Sequence, residues 1–175
     1  MVDQPSLTPL LPAMLAEALA RYPDEACGLI LEGRGGALRF AAIPNIAGSA
    51  AASGTSARSG RDGYVMEPAR LLAELSAAEE EGGCLRAIVH SHPDAGAYFS
   101  KEDRDMALGG GDAPLWPGVD YLVISCRAGV CDDARLYRWD AGQGDFGETQ
   151  LRLINPSQLK IPRLNEAGAP DDSSQ

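Results

Sequence analysis

The feature that most constrains this chain is the stretch from Ala87 to Asp103. An apolar strand signal, Leu85 to His90, runs into His90-Ser91-His92, then Pro93 and the turn residues Asp94-Ala95-Gly96. Side chains at positions i and i+2 of an extended chain project from one face. Two imidazoles on one face at a strand end can share a cation, with nitrogen ligands at about 2.0–2.1 Å. The chain contains only two histidines, and two placed at random fall at this spacing in about one chain in a hundred. Downstream, Ser100 stands where a helix should begin, with Asp103 three residues on. Read alone, that pair is a capping box, the serine capping the helix and the carboxylate returning the hydrogen bond. Capping and ligation are compatible. A capped helix start holds Asp103 near the strand end, where it can supply an oxygen ligand at about 2.0–2.2 Å and leave a fourth position for water.

The remainder of the chain reads as alternating helices and strands. Leu11, Leu15, Ala18, Leu19 and Tyr22 recur at helical spacing between Pro12 and Tyr22, and Pro23 stops the helix. Ala26–Gly33 reads as a buried strand, and Ala37–Pro44 as its hairpin partner across Gly35-Gly36. Residues 47–63 carry almost no large apolar side chains and read as a flexible loop. A second amphipathic helix is expected from Glu67 to Glu81, with Leu71, Leu72, Leu75 and Ala78 on one side. A short helix is expected over Ser100–Leu108, then strands over Val119–Cys126, Ala134–Trp139 and Thr149–Ile154. This order predicts an α/β (α+β) domain with a mixed central β-sheet flanked by helices. Its bounds are read as residues 1–155, with 156–175 a polar, partly disordered tail.

A metal-bound water needs a base. Asp94 and Glu102 are near in sequence, but one sits in a turn and the other on an exposed helix face. Glu25 lies just before a buried strand, where a carboxylate has to be satisfied or useful. Composition and spacing alone do not select among them.

The net charge is −10, which repels nucleic-acid backbones and anionic membranes and predicts neither as a partner. No apolar run reaches the roughly 18–20 residues of a membrane span. Met1-Val2-Asp3-Gln4-Pro5 lacks the basic and apolar regions of a signal peptide, so a cytoplasmic location is expected. Cys27, Cys84, Cys126 and Cys131 have no CxxC spacing and read as buried thiols.

His90-Ser91-His92, followed by Ser100 and Asp103, resembles the JAMM motif of the JAB1/MPN metalloprotease family. Pro23-Asp24-Glu25-Ala26-Cys27-Gly28 resembles that family's upstream glutamate segment in its small bacterial branch, which includes a peptidase acting on a cysteine-loaded sulfur carrier. The resemblance covers most of residues 8–140. It implies a partly barrel-like sheet of the cytidine-deaminase-like architecture. It also implies one zinc ion on His90, His92 and Asp103, with Glu25 as general base and Ser100 as a donor to the water and oxyanion. The implied substrate is a ubiquitin-like or sulfur-carrier protein, cut after its C-terminal Gly-Gly. The Arg104-Asp105-Met106 segment and Trp116 are expected along the substrate groove. Two other readings are a non-catalytic binding module of the same fold and a RadC-like, DNA-associated protein. A homodimer is left open.

Overall fold

A computed structural model describes residues 6–49 and 59–149. A 3₁₀ turn, Thr8–Leu10, leads into α1 (Leu11–Arg21). There follow β1 (Cys27–Glu32), β2 (Leu38–Ile43), α2 (Pro68–Glu80), β3 (Cys84–Pro93), α3 (Lys101–Leu108), β4 (Asp120–Arg127), β5 (Val130–Asp140) and β6 (Asp145–Thr149). The strands form one mixed sheet in the order β2-β1-β3-β4-β5-β6. The sheet is open, with β2 and β6 at its edges, and does not close into a barrel. Among the described residues no helix is long and apolar enough to cross a membrane.

The central strands β1, β3 and β4 are buried on both faces, and alternation decides which side chains go where. Ala87 and Val89 join Leu11, Met14 and Leu15 of α1 in one core. Ile88 joins Leu29, Val123 and Ala107 of α3 in the other, against which Leu71 and Leu75 of α2 pack. His90 and His92 follow Ile88 at two-residue steps and so share its face. Gly28 faces β2 with no room for a side chain. A Cβ there would lie 2.5 Å from the Phe40 ring and 2.6 Å from the Ala41 carbonyl oxygen.

β3 and β4 run parallel, and every other strand pairing is antiparallel. Parallel neighbours need a crossover connection, and α3 lies within this one. The crossover returns over the C-terminal end of β3, which is where α/β sheets present their ligand sites.

Several expectations shift at their edges. β3 continues past His90, because His92 and Pro93 still pair with Ser125 and Cys126. β5 begins at Val130 and β6 spans Asp145–Thr149. Residues 150–154 of the expected last strand, and the 156–175 tail, lie outside the described residues, as do residues 50–58 of the 47–63 loop. Leu72 is 65% exposed. It stands about 100° around the helix from Leu71, off the stripe made by Leu71, Leu75 and Ala78. The expectation of four buried thiols is corrected. The β4–β5 register sets Cys126 opposite Cys131, and the two form a disulfide. Cys84 is exposed, and Cys27 alone is a buried free thiol.

Candidate metal centre

The end of β3 and the first turn of α3 bring together three side chains that could ligate a metal. His90 Nε2 lies 3.2 Å from His92 Nε2. Asp103 places Oδ1 3.2 Å from the first and Oδ2 3.4 Å from the second. All three residues are buried, and their ligand atoms lie within 4.8 Å of one another.

His92 Nδ1 lies 2.9 Å from the carbonyl oxygen of Gly96. A carbonyl only accepts, so Nδ1 carries the hydrogen and the Nε2 lone pair faces His90 and Asp103. His90 is packed beneath the Tyr64 ring at 4.9 Å, and its buried Nδ1 has no hydrogen-bond partner. The capping box is present: Ser100 Oγ accepts from Asp103 N, and Ser100 N donates to Asp103 Oδ2 at 2.8 Å. Helix capping and ligand presentation are one arrangement here. Burial would raise the Asp103 pKa. The charge of His90, with the contacts to the His90, His92 and Ser100 side chains, overcomes this and holds the carboxylate far below its ordinary range.

The donor set fits a metal ion. Two nitrogens and one carboxylate oxygen suit zinc, and ligand atoms at 2.0–2.1 Å in a tetrahedron stand roughly 3.3 Å apart. The two imidazole nitrogens, 3.2 Å apart, match that spacing, and each has an oxygen of the Asp103 carboxylate within 3.4 Å.

The antiparallel register brings Glu25 to the same place. β1 pairs Cys27 with His90. Continuing that register sets Ala26 against Ser91 and Glu25 against His92. Two bonds hold the continuation: Ala26 N donates to Ser91 Oγ at 2.9 Å, and Ser91 N donates to Ala26 O at 3.0 Å. Glu25 is therefore on the face of the histidines. It is buried, and with His92, Ser100 and Asp103 it lines a cavity of about 840 Å³. Of the segments expected along the groove, Asp105, Met106 and Trp116 line this cavity. Arg104 instead pairs with Asp145 at 2.7 Å.

The other two candidate bases have different surroundings. The Asp94 carboxylate accepts from Ala128 N at 2.9 Å, Tyr22 Oη at 3.0 Å and Arg61 Nη2 at 2.8 Å. The Ala128 amide first, then Tyr22 and Arg61, hold its pKa below the ordinary value. Glu102 stays on the exposed side of α3, at the cavity wall.

Sequence reasoning missed Asn45, Tyr64 and Gly96. Tyr64, an isolated aromatic at the close of a small-residue loop, was the one legible signal. The Gly96 carbonyl and the Asn45 amide act through contacts that no spacing encodes.

Comparison with known proteins follows this geometry. The family model described as prokaryotic homologs of the JAB domain matches residues 7–140. The chain belongs to the prokaryotic JAB-domain family. This JAB domain is 30% identical over 118 residues to the tail tip assembly protein K of Escherichia phage N15. The match takes in 66% of the chain but 42% of that protein's length. Two solution structures share the fold. A protein from Desulfitobacterium hafniense is 23% identical, with a TM-score of 0.57 over 80% of this chain and 85% of its own. A protein from Salinibacter ruber is 22% identical, with a TM-score of 0.54 over 85% of this chain and 90% of its own. JAB domains include metallopeptidases, and the His90, His92 and Asp103 group of this one can hold a metal ion.

Proposed function

We propose that this JAB domain is a cytoplasmic zinc metallopeptidase that hydrolyses the amide or isopeptide bond after the C-terminal Gly-Gly of a ubiquitin-like or sulfur-carrier protein. The observation that carries the reading is the His92 tautomer: Gly96 turns the Nε2 lone pair toward His90 and Asp103, with Glu25 in the same cavity. The substrate follows from the resemblance to the small bacterial branch of the family.

His90, His92 and Asp103 would hold the ion. Bound zinc supplies a Lewis acid for the scissile carbonyl and lowers the pKa of water toward about 7. Glu25 takes the proton of the attacking water and returns it to the leaving amine nitrogen. Ser100 Oγ already accepts from the Asp103 amide. A hydroxyl has one donor besides its lone pairs, so Ser100 can give that donor to the developing oxyanion.

The test is incubation with a small carrier protein extended beyond its Gly-Gly, with and without a chelator. Cleavage after the second glycine that the chelator abolishes is expected. No chelator-sensitive cleavage of any such fusion overturns the reading. In that case the likeness to a tail tip assembly protein favours a second reading, a binding or assembly role without hydrolysis. A net charge of −10 argues against the DNA-associated reading, and a titration at physiological salt checks it.

A further inference from the structure

Beyond the metal group, the most heavily bonded polar side chain near the site belongs to a residue no role has claimed. Asn45 follows β2 by two residues, at the start of the 47–63 loop. Its Oδ1 accepts from Ala47 N at 3.0 Å and from Val65 N at 3.0 Å. Its Nδ2 donates to Glu25 O at 3.0 Å and Gly63 O at 3.2 Å, with Gly60 O at 3.4 Å. An amide has two donors and two acceptor lone pairs, so every hydrogen-bonding capacity of this side chain is used. The acceptor half touches only N–H groups and the donor half only carbonyls, which fixes the orientation of the amide.

These contacts join three segments: the residue before β1, the departing end of the loop and its returning end. The backbone reinforces them. Ile46 N donates to Val65 O at 2.8 Å and Glu67 N to Pro44 O at 2.9 Å, either side of a bridge between Asn45 and Met66. Glu25 N donates to Gly60 O at 2.7 Å. Both backbone polar groups of Glu25 are thus occupied by the Asn45 clasp and the loop it closes. On the other side, Ala26 is fixed by Ser91, which lies between the two histidines.

We propose that Asn45 is a positioning residue: its amide locks the returning end of the 47–63 loop onto the backbone of Glu25 and so sets where the Glu25 carboxylate stands relative to the metal group. This rests on the reading of Glu25 as the proton-transfer group. Asn45 touches neither metal ligand nor substrate. It acts through the peptide unit between Glu25 and Ala26, whose N–H donates to Ser91 Oγ. A displacement on the order of 1 Å at a catalytic group costs about 10²-fold in rate.

The two halves of the amide can be separated. Asn45→Asp keeps the acceptor that holds Ala47 and Val65 and removes the donors that hold Glu25, Gly60 and Gly63. Asn45→Ala removes both. Backbone hydrogen exchange in the zinc-loaded protein reads each half without reference to activity. In Asn45→Asp, the Glu25 amide, which donates to the Gly60 carbonyl that Asn45 Nδ2 also contacts, should exchange at least tenfold faster, while the Val65 amide, which donates to Oδ1, keeps its protection. In Asn45→Ala both should lose it. Zinc content should stay at one ion per chain in both variants. On the extended-carrier substrate, kcat should fall on the order of 10- to 100-fold with KM changed less than about threefold. Unchanged exchange at Glu25 in Asn45→Asp overturns the proposal. So does equal loss of protection throughout the domain, which marks general destabilisation. If the unaltered protein cleaves nothing, the peptidase reading falls and the exchange of the Glu25 amide still decides whether Asn45 holds it.

Discussion

His92 donates its Nδ1 hydrogen to the carbonyl of Gly96, four residues along the chain. The bond fixes which nitrogen faces the metal group, and it also sets how the site responds to pH. In the metal-free protein, burial disfavours the charged ring. The Asp103 carboxylate and the Gly96 carbonyl outweigh burial and raise the His92 pKa above 6.5. A group whose folded pKa is raised adds stability that is full below its unfolded pKa, about 6.5, and lost as pH rises through the folded value. The chelated protein should therefore lose this contribution as pH rises above neutrality. Metal binding runs the other way, because the ion competes with the proton for Nε2. Zinc affinity should weaken by up to about tenfold per pH unit below the His92 pKa. Thermal melts of the chelated protein and competition titrations of zinc, both between pH 5.5 and 8, check the two slopes. Parallel slopes would contradict the assignment.

Replacing Glu25 separates holding the ion from using it. Glu25→Gln should bind zinc at the unaltered stoichiometry, since Glu25 is outside the ligand group. Hydrolysis of the extended carrier should fall on the order of 10²–10⁴-fold, the usual contribution of a positioned proton-transfer group. Elemental analysis beside a cleavage assay decides it, and full activity would assign the base elsewhere.

Gly28 is held to glycine by space. A methyl group there meets the Ala41 carbonyl oxygen at 2.6 Å, a backbone atom of the paired strand that cannot swing aside. Gly28→Ala should cost about 1–3 kcal/mol in denaturant unfolding. Because Glu25 leads directly into β1, activity should fall more than the fraction unfolded explains.

The cysteines give a chemical count. Ellman's reagent should titrate one thiol in the native protein, Cys84, because Cys27 is buried and its pKa is pushed up to about 12 by burial and the nearby Glu25 carboxylate. Unfolding without reductant should reveal two, and unfolding after reduction should reveal all four cysteines of the chain. Four thiols without reductant would remove the Cys126–Cys131 link.

The parts of the site that were legible in the sequence are local ones. An HxH at a strand end and a serine three residues before an aspartate are read from period and capping, and α3 starts with that cap. The position of Glu25 is not local. It depends on the β1–β3 register, which spacing does not reveal, so only family resemblance pointed to it. The disulfide was missed for a related reason. The β4–β5 hairpin turns through Ala128 and Gly129, both at positive φ. Alanine is a poor signal for such a turn, where Asn-Gly would have been read at once. Without that turn the spacing starts the strand at Ala134, and Cys131 falls outside it with no residue facing it. Leu72 shows the limit of periodicity on a helix: Leu71 packs against the core while its apolar neighbour is 65% exposed.

The β3–α3–β4 crossover has a consequence for how such a domain can change over time. Its three candidate ligands come from one short, contiguous segment that carries its own strand pairing and its own helix cap. Glu25 comes from a separate segment, just before β1, whose backbone is held by bonds to Ser91, Asn45 and Gly60. A lineage could alter the region before β1 and keep an intact ion-holding scaffold, or recruit a carboxylate onto a scaffold that already holds one. The architecture makes gain and loss of chemistry a matter of one junction, with the rest of the sheet unchanged.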